Sequence, residues 1–259
     1  MFVLLSFSPI FCILLNFRYQ RHLAMTMKSG DVGTIQIDYH KTEQLGYQKE
    51  EFDDYNIEAL CDQELEERGL KQKLVEIARD VSYEGDCPDE VLLPYFERDA
   101  ITLVFTKKYT SEVAGFAQLY DLPEVDAMWH SLTCVLPEHQ GHGIDSQSLE
   151  YGIKEATKLE RKYQVLNSPN PRAIEIAGKV GFEPTNGEKI DLLKLEDIQK
   201  IVQHYKGEHI TLTDQMVLKG NLLPENKQRK RTICPAKSFD YSTILDLEKG
   251  DRLVMFKCL

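Results

Sequence analysis

Apolar and polar positions change period several times along the middle of this chain, and each change marks an element. Residues 100–106 and 112–119 are apolar runs on either side of a polar turn at 107–111, which predicts two strands joined as a hairpin. Residues 129–135 predict a third, central strand, followed by a helix from 144 to about 162 and a brief strand at 163–167. Upstream, alternation over 34–39 predicts a first strand. Two acidic segments come next, about 51–67 and 70–81. Ile57, Leu60, Cys61 and Leu65 make one apolar stripe and Leu74, Ile77, Ala78 and Val81 the other, so both read as amphipathic helices facing a core. Near the end, Ile190, Leu193, Ile198, Ile201 and Val202 predict a helix through about Lys206. A second helical piece is expected at 213–218, and residues 251–259 read as a closing strand. The mixture of strand runs and helices predicts an α/β domain built on a mixed sheet.

Between the central strand and its following helix lies Val135-Leu-Pro-Glu-His-Gln-Gly-His-Gly-Ile-Asp145. Gly141 and Gly143 allow a tight turn and a close approach of backbone to ligand. Free amides in the loop and at the helix start form a positive pole suited to phosphate oxygens. Strand, glycine loop and helix N-terminus together point to a pyrophosphate cradle. After the strand at 163–167 the chain reads Ser-Pro-Asn-Pro-Arg-Ala-Ile-Glu-Ile-Ala-Gly-Lys-Val-Gly-Phe, residues 168–182.

With these two landmarks the chain resembles the GCN5-related N-acetyltransferase (GNAT) superfamily, whose members carry an acyl group on coenzyme A. The family loop is Gln or Arg, two residues, Gly, one residue, then Gly or Ala. Gln140 and Gly143 stand in register, preceded by Val135 and Pro137 of the usual Val-x-Pro. The second landmark, an Asn-initiated helix ending in Gly-Phe, is matched by Asn170, Ala173, Lys179, Gly181 and Phe182. The resemblance is firm over about 100–185 and implies a GNAT-like fold with acetyl-CoA as cosubstrate. It implies coenzyme contacts from Thr133 and Val135 by strand pairing, from Gln140, Gly141, His142, Gly143 and Asp145 in the loop, and from Asn170. Gly115 stands where the family brings backbones close together, and the helices before the hairpin would wall the acceptor site. Residues 187–245 read as an insertion before the last strand of a domain spanning 28–259.

Three functional roles depart from the family. Asp145 replaces a Gly or Ala that faces the pyrophosphate, where a carboxylate either repels phosphate or caps the helix and points aside. Ala177 replaces the Tyr that many members use as general acid to the leaving thiolate. Ser131 and Trp129 occupy the places of a side-chain base, and neither is a base near neutral pH. Remaining candidates are His130, which a regular strand would aim to the opposite face but a bulge would re-aim, and Glu124 with Asp126 at the strand entrance.

Composition narrows the function classes. The 259 residues carry a net charge of -11, which disfavours nonspecific binding to nucleic acid and suits a basic acceptor. Six cysteines are scattered without a Cys-x-x-Cys, so neither a disulfide scaffold nor a zinc site is expected. His139 and His142 flank the loop, but with Cys134 or Glu138 they do not complete a metal-ligand set, and no metal is expected. Residues 2–15 are apolar, are interrupted by Pro9 and precede Arg18 and Arg21. They are read within residues 1–27 as a leader, a membrane tether or a dispensable extension, with Met25 and Met27 as alternative starts. An intracellular, cytoplasmic setting is expected, with membrane contact only through 2–15. The basic cluster Lys227, Arg229, Lys230, Arg231 reads as a solvated loop. The expected function is direct transfer of acetyl to an amine of a small molecule or protein. The alternative is a non-catalytic GNAT-fold module that binds a partner or senses acyl-CoA.

Overall fold

A computed structural model describes residues 50–51, 54–83, 88–96, 99–219, 239–249 and 251–259. The strand expected at 34–39, the apolar run 2–15 and the basic cluster at 227–231 lie outside the described residues. In the region 51–67, expected as one helix, Tyr55–Leu60 is a strand (β2) and only Asp62–Glu67 is helical (α1). The reason is a second periodicity in the same residues. Tyr55, Ile57 and Ala59 are buried while Asn56 and Glu58 are half-buried, an alternation of two that a neighbouring strand can use. β2 pairs antiparallel with β3 (Ile101–Lys107) in a continuous register from Tyr55↔Lys107 to Leu60↔Thr102, and a short β1 (Glu50–Glu51) lies outside it.

Most of the remaining elements follow the sequence reading, although the helix at Asp89–Phe96 was not expected. Helices α2 (Lys71–Tyr83) and α3 (Asp89–Phe96) precede the hairpin of β3 with β4 (Val113–Leu122). β5 (Ala127–Val135), α4 (Ile144–Lys158), β6 (Tyr163–Ser168) and α5 (Pro171–Lys179) then form the strand–loop–helix–strand–helix unit. α6 (Leu192–Lys206) occupies the first part of the expected insertion. The helical piece expected at 213–218 is instead a tight turn leading to β7 (Val217–Leu218). Thr213 and Val217 bond across it, and β7 pairs with β8 (Arg252–Cys258). Six residues are too few to sustain a helix alone, and the edge of β8 offers hydrogen bonds that helix ends lack. The sheet order is β1-β2-β3-β4-β5-β6-β8-β7, parallel between β5 and β6 and antiparallel elsewhere.

Helices cover both faces of this sheet. Leu74, Ile77 and Ala78 of α2 and Leu92 and Phe96 of α3 pack with Val104, Phe116 and Cys134, and Phe96 and Phe116 rings lie 5.3 Å apart. A second cluster joins Trp129, Val165 and Phe256 to Ile174 and Ala177 of α5 and to Ile198, Ile201 and Val202 of α6. No described helix is long and apolar enough to cross a membrane.

At Gly115 two backbones meet so closely that a Cβ would run into the Cys134 carbonyl oxygen and lie 2.9 Å from Val135 Cα. Backbone atoms cannot rotate away, so Gly115→Ala should cost about 1–3 kcal/mol of stability by overpacking. A urea titration showing no loss of midpoint would mean that β4 and β5 can separate freely.

Candidate functional site

The site grows from the point where β5 loses one neighbour. Parallel pairing with β6 runs from Ala127↔Tyr163 to His130↔Leu166 and stops, while β6 continues with β8 as far as Ser168↔Leu253. β5 itself continues to Val135 against β4. Beyond His130 the β6-facing side of β5 is therefore, among the described residues, a free strand edge, a template for any extended chain with amide groups. The Leu136 N–H donates to Ala114 O at 2.9 Å, on the β4 side. By strand alternation the N–H groups of Val135 and Thr133 face the open side.

A bulge sits at the same place. Ala117 opposes Thr133 but Leu119 opposes His130, so Gln118 stands against both Ser131 and Leu132. The extra residue puts His130 and Thr133 on one face, and His130 Nε2 lies 2.7 Å from Thr133 Oγ1. Ser131 turns with Trp129 to the other face. There its hydroxyl lies 2.9 Å from that of Tyr205, whose ring stacks on Trp129 at 4.5 Å and 21°. Tyr205 also approaches the Tyr120 ring at 5.4 Å.

The glycine loop starts from Pro137–His139, a single 3-10 turn, and reaches α4 through Gly141 and Gly143 at φ 85° and 81°. Gln140 ties the loop to the strand by donating from Nε2 to Val135 O at 3.0 Å. Gly143 is the N-cap of α4, and no side chain caps that end. Asp145 stands inside the first turn instead, so it does not cap the helix, and the N-terminal amides keep their free hydrogens toward the loop. Asp145 is half-buried. Burial pushes its carboxyl above the usual aspartate range, and the nearby Arg172 guanidinium opposes that shift. Arg172 sits at the start of α5, where Asn170 is the N-cap and accepts from the Arg172 N–H at 3.0 Å. The N-terminus of α4 and Arg172, which also pairs with Glu175 at 3.0 Å, thus supply positive potential at this carboxylate.

Residues 65–182 match the sequence model of the acetyltransferase (GNAT) family. This segment is a GNAT acetyltransferase domain. No curated protein sequence matches the chain significantly. Among solved structures, mutant forms of the spermidine/spermine N-acetyltransferase SpeG from Vibrio cholerae are 13% identical, with 80% of this chain and 95% of that one covered at a TM-score of 0.45. A GNAT acetyltransferase from Elizabethkingia anophelis with acetyl-CoA bound is 15% identical, over 80% and 100%, with a TM-score of 0.43. Nourseothricin acetyltransferase is 21% identical over 35% of this chain, which spans only 54% of that protein, with a TM-score of 0.30.

Within the GNAT domain the sequence-selected residues divide into two sets. Thr133, Val135, Gln140, Gly141, His142, Gly143 and Asp145 line one continuous path from the open strand edge to the start of α4, with Asn170 capping α5. His142 is exposed, its ring 5.9 Å from that of Tyr55. Of the two base candidates, His130 adjoins this path through Thr133, and Glu124 lies apart from it. His130 is buried, and desolvation lowers its imidazole to about 4, so it is neutral at pH 7. Its Nδ1 meets no hydrogen-bond partner. Glu124 is exposed at the turn Pro123–Val125, with His204 of α6 3.7 Å from its carboxylate. Ala177 is buried in the core. Sequence reading missed Tyr205 and Arg172. Arg172 directly follows the Asn-Pro helix start and was legible there. Tyr205 lies 74 residues from Ser131 and carried no local signal.

Proposed function

We propose that the chain is an acetyl-CoA-dependent N-acetyltransferase that passes the acetyl group directly to an amine. The observation that carries this reading is the free edge of β5 at residues 131–135, which runs into a glycine loop and an uncapped helix N-terminus. That edge suits the amides of pantetheine, and the loop suits the pyrophosphate. Thr133 and Val135 would pair with the pantetheine, and the amides of Gln140 to Asp145 would receive the phosphates. Catalysis would rest mainly on holding thioester and amine together. The Ser131–Tyr205 hydroxyl pair stands where the free edge begins and supplies a proton route that the family supplies from other positions. The net charge of -11 favours a cationic amine as acceptor.

The test is calorimetric titration of acetyl-CoA into the full-length protein and its Asp145→Gly variant. The unmodified protein should bind, and the variant should bind at least about fivefold tighter. That factor corresponds to the roughly 1 kcal/mol between unit charges ~4 Å apart in water. Because Asp145 is raised, its charge is lost as pH falls toward that raised value, so the repulsion should weaken at lower pH. Affinity of the unmodified protein should improve relative to the glycine variant, which controls for protonation of the coenzyme itself. Binding by the variant alone would favour a non-catalytic module. Binding by neither folded protein would remove the coenzyme assignment.

A further inference from the structure

We propose that Glu112, Glu138 and His139 form a binding site for a divalent transition metal of the zinc class, beside the glycine loop and separate from the open edge of β5. One ligand atom from each of the three lies within 4.8 Å of the others, and Glu112 Oε2 is 3.8 Å from His139 Nε2. Around an ion with bonds of about 2.1 Å, tetrahedral ligand atoms stand roughly 3.4 Å apart. The two glutamates are exposed, so modest rotation of their side chains closes the remaining gap.

His139 distinguishes this group from an ordinary acidic patch. It is only 4% exposed, and among the described residues Nε2 has no hydrogen-bond partner although it lies 3.8 Å from the Glu112 carboxylate. At 3.8 Å the contact with Glu112 is too long for a hydrogen bond. The other ring nitrogen, Nδ1, lies 3.1 Å from the buried Tyr55 hydroxyl oxygen. With Nδ1–H donating to Tyr55 Oη, Nε2 keeps its lone pair on the side of the Glu112 carboxylate. A second group that holds the far nitrogen in this way is how a metal-bound imidazole is oriented. A buried acceptor left empty beside an anion is otherwise costly, and a cation removes that cost.

The backbone under the group is rigid. Glu112 leads directly into β4, and Glu138 and His139 follow directly on β5. The two strand ends are joined by the Leu136–Ala114 hydrogen bond of 2.9 Å and by the close approach at Gly115. One imidazole and two carboxylates suit Zn²⁺, Co²⁺ or Mn²⁺, whereas Mg²⁺ and Ca²⁺ favour all-oxygen sets. Three protein ligands leave a fourth position for water. Because Gln140 to Gly143 continue directly from His139, a bound ion would anchor the base of the loop.

The experiment is titration of full-length, metal-stripped protein with Zn²⁺ by calorimetry, repeated with Co²⁺ by visible absorption and with Mg²⁺. The Glu112→Gln/Glu138→Gln double variant is run alongside, since both positions are exposed and the fold is checked by circular dichroism. His139→Ala is a third arm. The unmodified protein should take up one more Zn²⁺ than the double variant, and Co²⁺ should give the d–d bands of a low-coordinate nitrogen–oxygen site. Zn²⁺ should raise the melting temperature of the unmodified protein more than that of the double variant. Equal Zn²⁺ uptake by the folded double variant would overturn the proposal. So would no uptake up to millimolar Zn²⁺ or Co²⁺, or Mg²⁺ binding as tightly as Zn²⁺. His139 would then be a simple ion-pair partner of Glu112. None of these outcomes depends on acetyl-CoA.

Discussion

Trp129→Ala should lower the free energy of unfolding by about 3–5 kcal/mol, the range for deleting a large aromatic side chain from a packed core. Trp129 is fully buried in the cluster that includes Val165, Val254 and Phe256. One side of its ring is covered by Tyr205, with Lys206 Nζ 5.5 Å from the ring centre. Removing the indole therefore opens a cavity and also takes away the surface on which the end of α6 rests. Ile198, Ile201 and Val202 of α6 remain buried in the same cluster, and the rest of the ties to the sheet are polar, such as Asp197 to Lys162 and to the Tyr163 hydroxyl at 2.7 and 2.9 Å. Such half-exposed contacts offset little of the loss. Trp129→Phe should be much milder, because it keeps ring packing and deletes an indole N–H that meets no partner. Urea unfolding by far-ultraviolet circular dichroism measures both. A cost below about 1 kcal/mol for the alanine variant would mean that α6 is only loosely docked on β5.

Tyr205→Phe should leave the fold and acetyl-CoA affinity unchanged and lower turnover by about 10²-fold, the lower end of what a positioned proton-transfer group supplies. This rests on the proposed acetyl transfer. Phenylalanine keeps the stack on Trp129 and deletes only the hydroxyl that meets Ser131 at 2.9 Å. Ser131→Ala should reproduce the loss, and the double variant should be little worse than either single one, because both belong to one path. Release of free coenzyme A, followed by thiol reagent against a panel of polyamines and amino-terminal peptides, gives kcat and KM separately. A purely structural tyrosine would move stability or KM and leave the pH profile of kcat alone. An unchanged kcat in Tyr205→Phe would remove the hydroxyl pair from the mechanism.

Much of the site was legible in the chain because its parts are local. A strand, a Val-x-Pro, two glycines and a helix start occur within residues 129–145, and each acts through backbone geometry at its own position. The Asn-Pro start of α5 is equally local, and Asn170 caps it by accepting from the Arg172 N–H two residues on. Elements with competing periodicities were less legible. Residues 55–60 satisfy a strand alternation and a helical stripe at once, and only the neighbouring β3 decides between them. The turn at 213–216 had a helical composition but too little length, and β8 determined its form.

The sequence by itself determined the order of strands and helices over residues 100–182, the glycine loop on the central strand, and the loss of the family tyrosine at Ala177. The tertiary structure decided what stands in the places left open. A single added residue in β5 sends Ser131 toward Tyr205 and His130 toward Thr133, because strand side chains alternate and one extra position reverses every face beyond it. It also decided that Gly143, and not Asp145, stands at the N-cap position of α4 and leaves its amides free, and that Glu112 meets Glu138 and His139. These are contacts between residues distant in the chain. Sheet register and packing set them, and no local pattern of residues records either.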